Sequence, residues 1–224
     1  MGAVEGIGAV TGLHSETTLA RRLGMRAACC GSTPGRAEDL AEELIEEQGV
    51  IALVSFGLCG GLDPTLRPGT LIVPKRVVAE DDYAGFPTHR PWHAALIAHL
   101  PEARTGALLG YDETVASAED KAELFALTNA LAVDTESTGV ALVALRHGLP
   151  FMALRAVRDP ADLSIPTSAL VCVTESGRMN PIIMARALLA NPGEIGRQAR
   201  LTIAGWAAWR ALLRGGAVLA ATLW

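Results

Sequence analysis

Apolar runs of strand length alternate with segments of helical periodicity along most of this chain. Two of these runs, Ile51–Phe56 and Phe151–Val157, each contain a single polar residue. Such alternation is typical of layered α/β proteins, in which helices pack on a parallel or mixed sheet. We therefore expect an α/β fold, organised as three α/β/α layers around a central mixed sheet.

The predicted elements follow from this periodicity. Predicted strands are Ile7–Thr11, Arg26–Cys30, Ile51–Phe56, Thr70–Ala79, Gly106–Gly110, Ala130–Val133 and Phe151–Val157. Predicted helices are Glu16–Leu23, Gly35–Gln48, Ala118–Thr128, Thr135–Arg146, Thr167–Glu175, Pro181–Leu189 and Pro192–Leu213. Because no repeat or low-complexity linker divides the chain, we expect one domain over residues 1–224 with an apolar helical tail at about 192–224.

Composition excludes several classes of protein. At 224 residues, half of them hydrophobic, the chain can bury a large core. Its net charge of −5 provides no basic surface for nucleic acid. The four cysteines, Cys29, Cys30, Cys59 and Cys172, include no Cys-x-x-Cys pair, so neither a zinc site nor a disulfide framework is expected. The amino-terminal residues lack the basic region of a signal peptide, which favours a cytoplasmic protein.

Polar and glycine-rich segments follow several of the predicted strands. Gly12–Glu16 follows the first strand, Gly31–Thr33 the second and Gly57–Gly61 the third, while Asp159 follows a late one. In open α/β sheets, ligands bind beyond the carboxyl ends of the strands. We therefore expect these four segments to meet at one crevice.

Gly57–Gly61 has three glycines in five positions. This composition lets a backbone approach a ligand closely and present N–H donors to it. A tight turn between the strand and a loop is the alternative.

A second turn, Gly31–Arg36, lies between a predicted strand and a predicted helix. Thr33 and Pro34 suit the N-cap and the first helical position. The same helix N-terminus could bind an anion, with Ser32, Thr33 and Arg36 as additional donors. Both interpretations remain open on the sequence.

Three acids stand near these segments: Glu16, Glu136 and Asp159. Each has an ordinary alternative role. Glu16 and Glu136 could stabilise helix N-termini through the helix dipole. Asp159 could cap the next turn or pair with Arg155 or Arg158.

Two pairs of motifs carry a resemblance to a known family. The first pair is Gly60-Gly-Leu-Asp-Pro64 and Gly69-Thr-Leu-Ile-Val73, and the second is Val133-Asp-Thr-Glu136 and Arg155-Ala-Val-Arg-Asp159. Together they resemble the superfamily of nucleoside phosphorylases and methylthioadenosine/adenosylhomocysteine nucleosidases. The resemblance implies that the protein is an enzyme acting on a small-molecule nucleoside.

The resemblance also implies roles for individual residues. Glu136, beside Thr135, holds the ribose hydroxyls in this family, and Asp159 matches the acid that protonates the purine leaving group. Glu16 matches the glutamate that activates water in the nucleosidase branch. The resemblance also implies contacts to the base from Val133, Asp134 and Arg158. It implies contacts to phosphate or another nucleophile from Gly31, Ser32, Thr33, Arg36, Cys59 and Gly60.

Within this superfamily the chain is most similar to the hopanoid-associated phosphorylases. The shared segments are Val10-Thr-Gly-Leu-x-x-Glu16, Ala118-Glu-Asp-Lys121 and Val133-Asp-x-Glu-Ser137. This subgroup implies phosphorolysis of adenosylhopane with release of adenine, with inorganic phosphate as co-substrate and neither a cofactor nor a metal. The family also implies a homo-oligomer, for which we expect a dimer. Two alternatives remain: a hydrolytic nucleosidase that uses Glu16, and a nucleoside-binding protein without catalysis.

The carboxyl-terminal tail is strongly apolar. Arg210, Arg214 and a pair of glycines interrupt it before the ~20 apolar residues that a membrane span requires. A buried terminal helix is the first interpretation. The alternative is a helix at the inner membrane surface, with Trp206 and Trp209 at the interface, that receives a lipid-linked substrate.

Overall fold

The computed structural model describes residues 6–31, 35–80 and 84–223. Within these ranges the chain forms nine strands: β1 (Ile7–Thr11), β2 (Arg26–Cys29), β3 (Ala52–Gly61), β4 (Leu71–Ile72), β5 (Arg76–Val78), β6 (Phe86–Pro87), β7 (Ala107–Gly110), β8 (Ala132–Asp134) and β9 (Phe151–Asp159). They make one mixed sheet with the order β2-β1-β3-β8-β7-β5-β6, and β9 pairs with both β3 and β4. The predicted mixed sheet is confirmed.

Helices cover both faces of the sheet. The helices are α1 (His14–Arg22), α2 (Arg36–Glu46), α3 (Arg90–His99), α4 (Ala118–Thr128), α5 (Ser137–Arg146), α6 (Thr167–Leu170), α7 (Pro181–Ala190) and α8 (Ile195–Thr222). Residues of α1, α3 and α8 share one buried apolar cluster with the sheet. Residues of α2 and α5 share another with it. The predicted three-layer fold is therefore confirmed.

The glycine-rich segment Gly57–Gly61 is part of a strand and not a loop, which corrects the sequence prediction. Strand β3 pairs in parallel with β9 beyond Phe56, and its last two residues, Gly60 and Gly61, pair with β8. A register shift interrupts the ladder between Cys59 and Gly60. Because β9 also continues to Asp159, the two longest strands end together at the same edge of the sheet.

Three other predictions differ from the structure. The predicted strand Thr70–Ala79 forms two short strands, β4 and β5. Helix α3 and strand β6 were not predicted, because few of their residues are buried. The predicted helix Thr167–Glu175 ends at Leu170. The chain then turns at Gly177, where φ is +71°, and Val173 bridges Met179.

The terminal helix α8 continues through Gly215 and Gly216, where the sequence predicted an interruption. A Cβ atom on Gly216 would lie 2.7 Å from Cδ1 of Leu23, so glycine lets the helix approach the core closely. The predicted buried helix is confirmed for the face that carries Leu201, Ala204, Ala208, Leu212 and Leu219.

The opposite face of α8 is exposed to solvent. Ile203 is 72% exposed and Trp206 is 69% exposed, whereas Trp209 packs against the core. The two tryptophans therefore do not share one exposed face, as the sequence had suggested. None of the helices in the described ranges has the length and hydropathy needed to cross a bilayer.

Candidate functional site

A cavity of about 390 Å³ opens at the carboxyl ends of β1, β3, β8 and β9. Its wall includes Gly12 and Leu13 after β1, Leu58–Gly60 of β3, Glu136 after β8 and Asp159 at the end of β9. Gly31, after β2, also lines it. The expectation that separate segments meet at one crevice is confirmed.

The structure places most of the predicted site residues in the wall of this cavity: Glu16, Gly31, Cys59, Gly60, Val133, Asp134, Thr135, Glu136, Arg158 and Asp159. Ser32 and Thr33 lie outside the described residues. Arg36 is exposed at the start of α2 and does not line the cavity; the next residue, Ala37, does. A contact from Arg36 to phosphate stays a prediction.

Glu16 lies buried in the first turn of α1, with both carboxylate oxygens bonded to backbone N–H groups. Leu13 N donates to Oε2 and Leu58 N donates to Oε1, each at 2.8 Å. Burial and the nearby carboxylate of Glu136 raise the pKa of Glu16 from 4.5 to about 7, although Arg155 and the two N–H donors oppose this rise. A carboxylate with a pKa near neutrality is suited to accept a proton at physiological pH.

This raised pKa predicts how stability depends on pH. Glu16 loses its proton near pH 4.5 in the unfolded state and near pH 7 in the folded state. The contribution of protonated Glu16 to the free energy of unfolding is therefore complete below pH 4.5 and is lost as the pH rises through 7. At ~1.4 kcal/mol per unit of pKa, the free energy of unfolding should fall by up to ~3 kcal/mol across this window. Glu16→Gln should remove this part of the pH dependence. Urea unfolding of both proteins at pH 5 and pH 8 measures it, and equal pH dependence would contradict the raised pKa.

A buried arginine, Arg155, organises the acids that follow β8. Its Nε lies 2.7 Å from Oδ2 of Asp134, and its Nη2 lies 2.8 Å from Oε2 of Glu136. Nη2 also donates to Oγ of Ser55 at 2.5 Å. Burial lowers the pKa of Arg155, but the surrounding carboxylates outweigh burial and raise it. The guanidinium therefore stays charged and fixes both acids.

The two acids use this arginine differently. Asp134 also accepts from Glu136 N, Ser137 N and Ser137 Oγ, so its carboxylate is fully engaged inside the protein. The other oxygen of Glu136, Oε1, accepts from Oγ1 of Thr135 at 2.6 Å. Burial raises the pKa of Glu136 against the opposing effect of Arg155. The Glu136 side chain is the more exposed of the two, at 8% against 2% for Asp134.

Two glycines leave room for these carboxylates. A Cβ on Gly12 would lie 2.5 Å from Oε1 of Glu136. A Cβ on Gly57 would lie 2.7 Å from both Oε2 of Glu16 and Nη1 of Arg155. Any larger residue at these positions would displace an acid from the cavity wall.

Asp159, at the end of β9, lies between two cations. Oδ2 is 2.7 Å from Nζ of Lys121, which is completely buried, and Oδ1 is 3.3 Å from Nε of Arg158. Asp159 is itself 3% exposed. Its carboxylate therefore has a fixed orientation at the cavity wall.

Sequence reasoning did not assign Arg155 or Lys121 to the site. A signal existed for Arg155, because it is the one charged residue in the apolar run Phe151–Val157. Lys121 gave a weaker signal: it belongs to a motif shared with the hopanoid-associated phosphorylases, but it lies in α4, 38 positions before Asp159. Only the folded chain brings Lys121 and Asp159 together.

The thiols in the cavity wall are not suited to nucleophilic attack. Burial raises the pKa of both Cys30 and Cys59. Cys30 Sγ also donates to Thr11 O at 3.2 Å. Because only the thiolate is a good nucleophile, the oxygen groups remain the reactive groups of this site.

One wall of the cavity is apolar and comes from the segment after β9. Ile165, Ala169, Leu170 and Val173 form it. The buried carboxylate of Glu194 fixes this segment by accepting from the backbone N–H groups at the start of α6, each at 3.1 Å. The cavity therefore has a charged end and an apolar end.

Comparison with known proteins identifies the family. The model of the phosphorylase superfamily matches residues 14–171, a range that contains Glu16, Glu136 and Asp159. The chain belongs to this superfamily. Members of the superfamily thus share the part of the chain that builds the charged end of the cavity.

Individual relatives agree with this family. A 5'-methylthioadenosine/S-adenosylhomocysteine nucleosidase from Staphylococcus saprophyticus is 27% identical over 130 residues, and the alignment spans 49% of this chain and 57% of that relative. Among solved structures, the nucleosidase from Helicobacter pylori has a TM-score of 0.66 at 19% identity, covering 99% of this chain and 97% of that one. The enzyme from Neisseria meningitidis, in complex with methylthio-immucillin-A, has a TM-score of 0.67 at 18% identity, covering 96% and 99%. These structures share the fold of this superfamily member.

Proposed function

We propose that the protein cleaves the N-glycosidic bond of an adenosine substituted at its 5' carbon and releases adenine. The observation that carries the proposal is the meeting of Glu16, Glu136 and Asp159 in the wall of one cavity. A binding protein has no need for a buried carboxylate whose pKa is raised to about 7, as that of Glu16 is. The relatives named as 5'-methylthioadenosine/S-adenosylhomocysteine nucleosidases support this class of substrate.

Each acid has a chemical role in this reaction. Asp159 gives a proton to the departing purine, so that the base leaves as a neutral molecule. Glu136, held by Arg155, accepts hydrogen bonds from the ribose hydroxyls. Glu16 removes a proton from the water that attacks the anomeric carbon.

We propose water as the nucleophile because the cavity is poor in cations. Its described lining residues include six acids, and Arg158 is their one cation. The buried cations behind the wall, Arg155 and Lys121, are already paired with acids of the wall. A phosphate dianion there would be repelled by Glu16 and Glu136 unless further positive charge were supplied. Water carries no charge, and Glu16 supplies the base that it needs.

Phosphorolysis of adenosylhopane is the second candidate. Gly31, Cys59 and Gly60 line the cavity, as the resemblance requires of a site that holds phosphate. The apolar wall formed by Ile165, Ala169, Leu170 and Val173 suits an apolar 5' substituent. Inorganic phosphate would then be the co-substrate, with no other cofactor.

Adenine release tests the proposed function. The purified protein would be incubated with 5'-methylthioadenosine and with adenosine carrying a long 5'-alkyl group, with and without phosphate. We expect adenine from at least one substrate, at a rate that is independent of phosphate. If neither substrate releases adenine, the protein is a nucleoside-binding protein without catalysis. Release that requires phosphate would favour the second candidate.

Glu136→Gln should weaken the binding of ribonucleosides more than the binding of free adenine. The carboxylate accepts from two hydroxyls, whereas the amide brings a donor of its own. With hydrogen bonds to charged groups worth ~1.5–3 kcal/mol, the affinity should fall ~10–100-fold. Calorimetric titration of a non-cleavable nucleoside analogue and of adenine measures both affinities. Equal changes in affinity for the analogue and for adenine would contradict this role.

We also propose that the protein is a cytoplasmic homodimer that touches the inner membrane through the exposed face of α8. Trp206 and Ile203 are apolar side chains on this face, and Arg210 lies beside them. Such a face binds anionic lipid through combined apolar and electrostatic contacts. Light scattering tests the dimer.

Trp206→Ser should reduce co-sedimentation with anionic vesicles by at least ~3-fold, because a tryptophan side chain buries a large apolar area at a membrane interface. Leu145→Ser is the matched control, since Leu145 is 63% exposed on α5 at the opposite face of the sheet. Equal binding by both variants would contradict membrane contact by α8.

A further inference from the structure

Lys121 is completely buried in α4, and its ammonium group meets only acceptors. Nζ lies 2.7 Å from Oδ2 of Asp159, 2.9 Å from Leu163 O, 3.2 Å from Pro160 O and 3.4 Å from Asp159 O. An ammonium has three N–H donors and no lone pair. The group is therefore well satisfied as a cation.

Burying a lysine at this position has a desolvation cost, and the stability of the fold does not explain why a lysine is there. Removing an ammonium from water is expensive, and a buried ion pair often contributes no more stability than apolar residues of similar volume. The pair also lies at a reactive point: Asp159 lines the cavity, whereas Lys121 stands behind it. A cation bound to Oδ2 of this acid is suited to act on the chemistry of the acid.

We propose that Lys121 is a positioning residue for Asp159. Its ammonium holds Oδ2, so that the carboxyl group keeps the orientation in which Oδ1, 3.3 Å from Nε of Arg158, serves the leaving base. This inference rests on the proposed function. The same ammonium stabilises the negative charge that the carboxylate acquires when it gives up its proton. Lys121 does not touch the substrate and acts only through Asp159.

The proton transfer balances without a further reactant. The Asp159 proton moves from Oδ1 to a ring nitrogen of the base, while the electrons of the N-glycosidic bond pass to the base. The new carboxylate charge lies 2.7 Å from Nζ of Lys121. Attraction between opposite charges at this distance stabilises the carboxylate that the transfer leaves behind.

The test compares two leaving groups. Adenine needs a proton to depart, whereas nitrophenolate from a nitrophenyl riboside does not. Lys121→Gln keeps N–H donors but removes the charge. Because general acid catalysis is worth ~10²–10⁴-fold, we expect kcat for adenine release to fall at least ~10-fold, with KM changed less than ~3-fold. The nitrophenyl riboside should be cleaved within ~3-fold of the wild-type rate. Equal losses on both substrates would overturn the inference.

Two further comparisons complete the experiment. In an Asp159→Asn background, adding Lys121→Gln should cause no further loss of kcat, because residues that act as a unit are not additive. An additional loss of ~10-fold there would also overturn the inference. Lys75→Gln is the matched control, since Lys75 is exposed and is the one other lysine of the chain. If Lys121→Gln does not fold, Lys121→Arg takes its place. This variant keeps the cation but misplaces it, so it should show the same selective loss of adenine release.

These outcomes are distinguishable from failure of the proposed function. A wild-type protein that cleaves neither the adenine nucleoside nor the nitrophenyl riboside contradicts the proposed function itself. A wild-type protein that cleaves both, with variants that lose both in proportion, contradicts only the assignment of Lys121.

Discussion

Replacing Asp159 by asparagine is expected to lower the rate of adenine release by ~10²–10⁴-fold, the usual contribution of a general acid. The amide fits the space of the carboxyl group, and it can still accept a hydrogen bond from the buried ammonium of Lys121. It has no proton of suitable acidity to give to the departing base. Steady-state assays of adenine release measure the loss.

Two controls separate chemistry from folding in this variant. The thermal unfolding midpoint should show a folded protein, and the affinity for a non-cleavable nucleoside analogue should stay within ~3-fold of wild type, because Asp159 acts on the leaving group and not on the ribose. Turnover within a factor of two of wild type would remove Asp159 from the role of general acid.

Replacing Glu16 by glutamine is expected to lower hydrolysis by a similar ~10²–10⁴-fold, because an amide cannot accept the proton of the attacking water. In the wild-type protein the rate should rise with pH through about 7, as the buried carboxyl group ionises. The variant should lose this rise. The pH profile of kcat for adenine release, from pH 5 to pH 9, measures both effects.

Glu113→Gln is the matched control for this experiment. Glu113 also lines the cavity, but it is exposed, so it should contribute little to catalysis. Retention of phosphate-dependent adenine release by Glu16→Gln would show that phosphate, which needs no base, is the nucleophile. An unchanged pH profile in Glu16→Gln would exclude Glu16 as the base.

The sequence predicted the layers and the edge of the sheet where the site lies. The bounds of β1 and α4 were correct because each shows one clear period and a definite end: Ile7–Thr11 is followed by a glycine, and Ser117 caps the helix at Ala118 with its side chain. Asp159 could be placed because β9 runs parallel to β3, and parallel strands in a layered fold bring their carboxyl ends together.

The remaining features depend on contacts between distant parts of the chain. Gly57–Gly61 has the composition of a loop, but pairing with β9 and β8 makes it a strand. Gly215 and Gly216 would weaken an isolated helix, but contact with the core keeps them helical. The partnership of Lys121 with Asp159 and that of Arg155 with Glu136 are also tertiary. No local pattern encodes them.

The origin of the oxygen that replaces adenine on the sugar tests the central claim most directly. The protein would cleave its nucleoside substrate in water enriched in oxygen-18 at saturating inorganic phosphate, and mass spectrometry of the product, sampled before free sugar exchanges its anomeric oxygen, would locate the label. If Glu16 activates water, the sugar acquires one labelled oxygen at its anomeric carbon, and Glu16→Gln abolishes this product. A sugar phosphate without the label, formed at an unchanged rate by Glu16→Gln, would contradict the account.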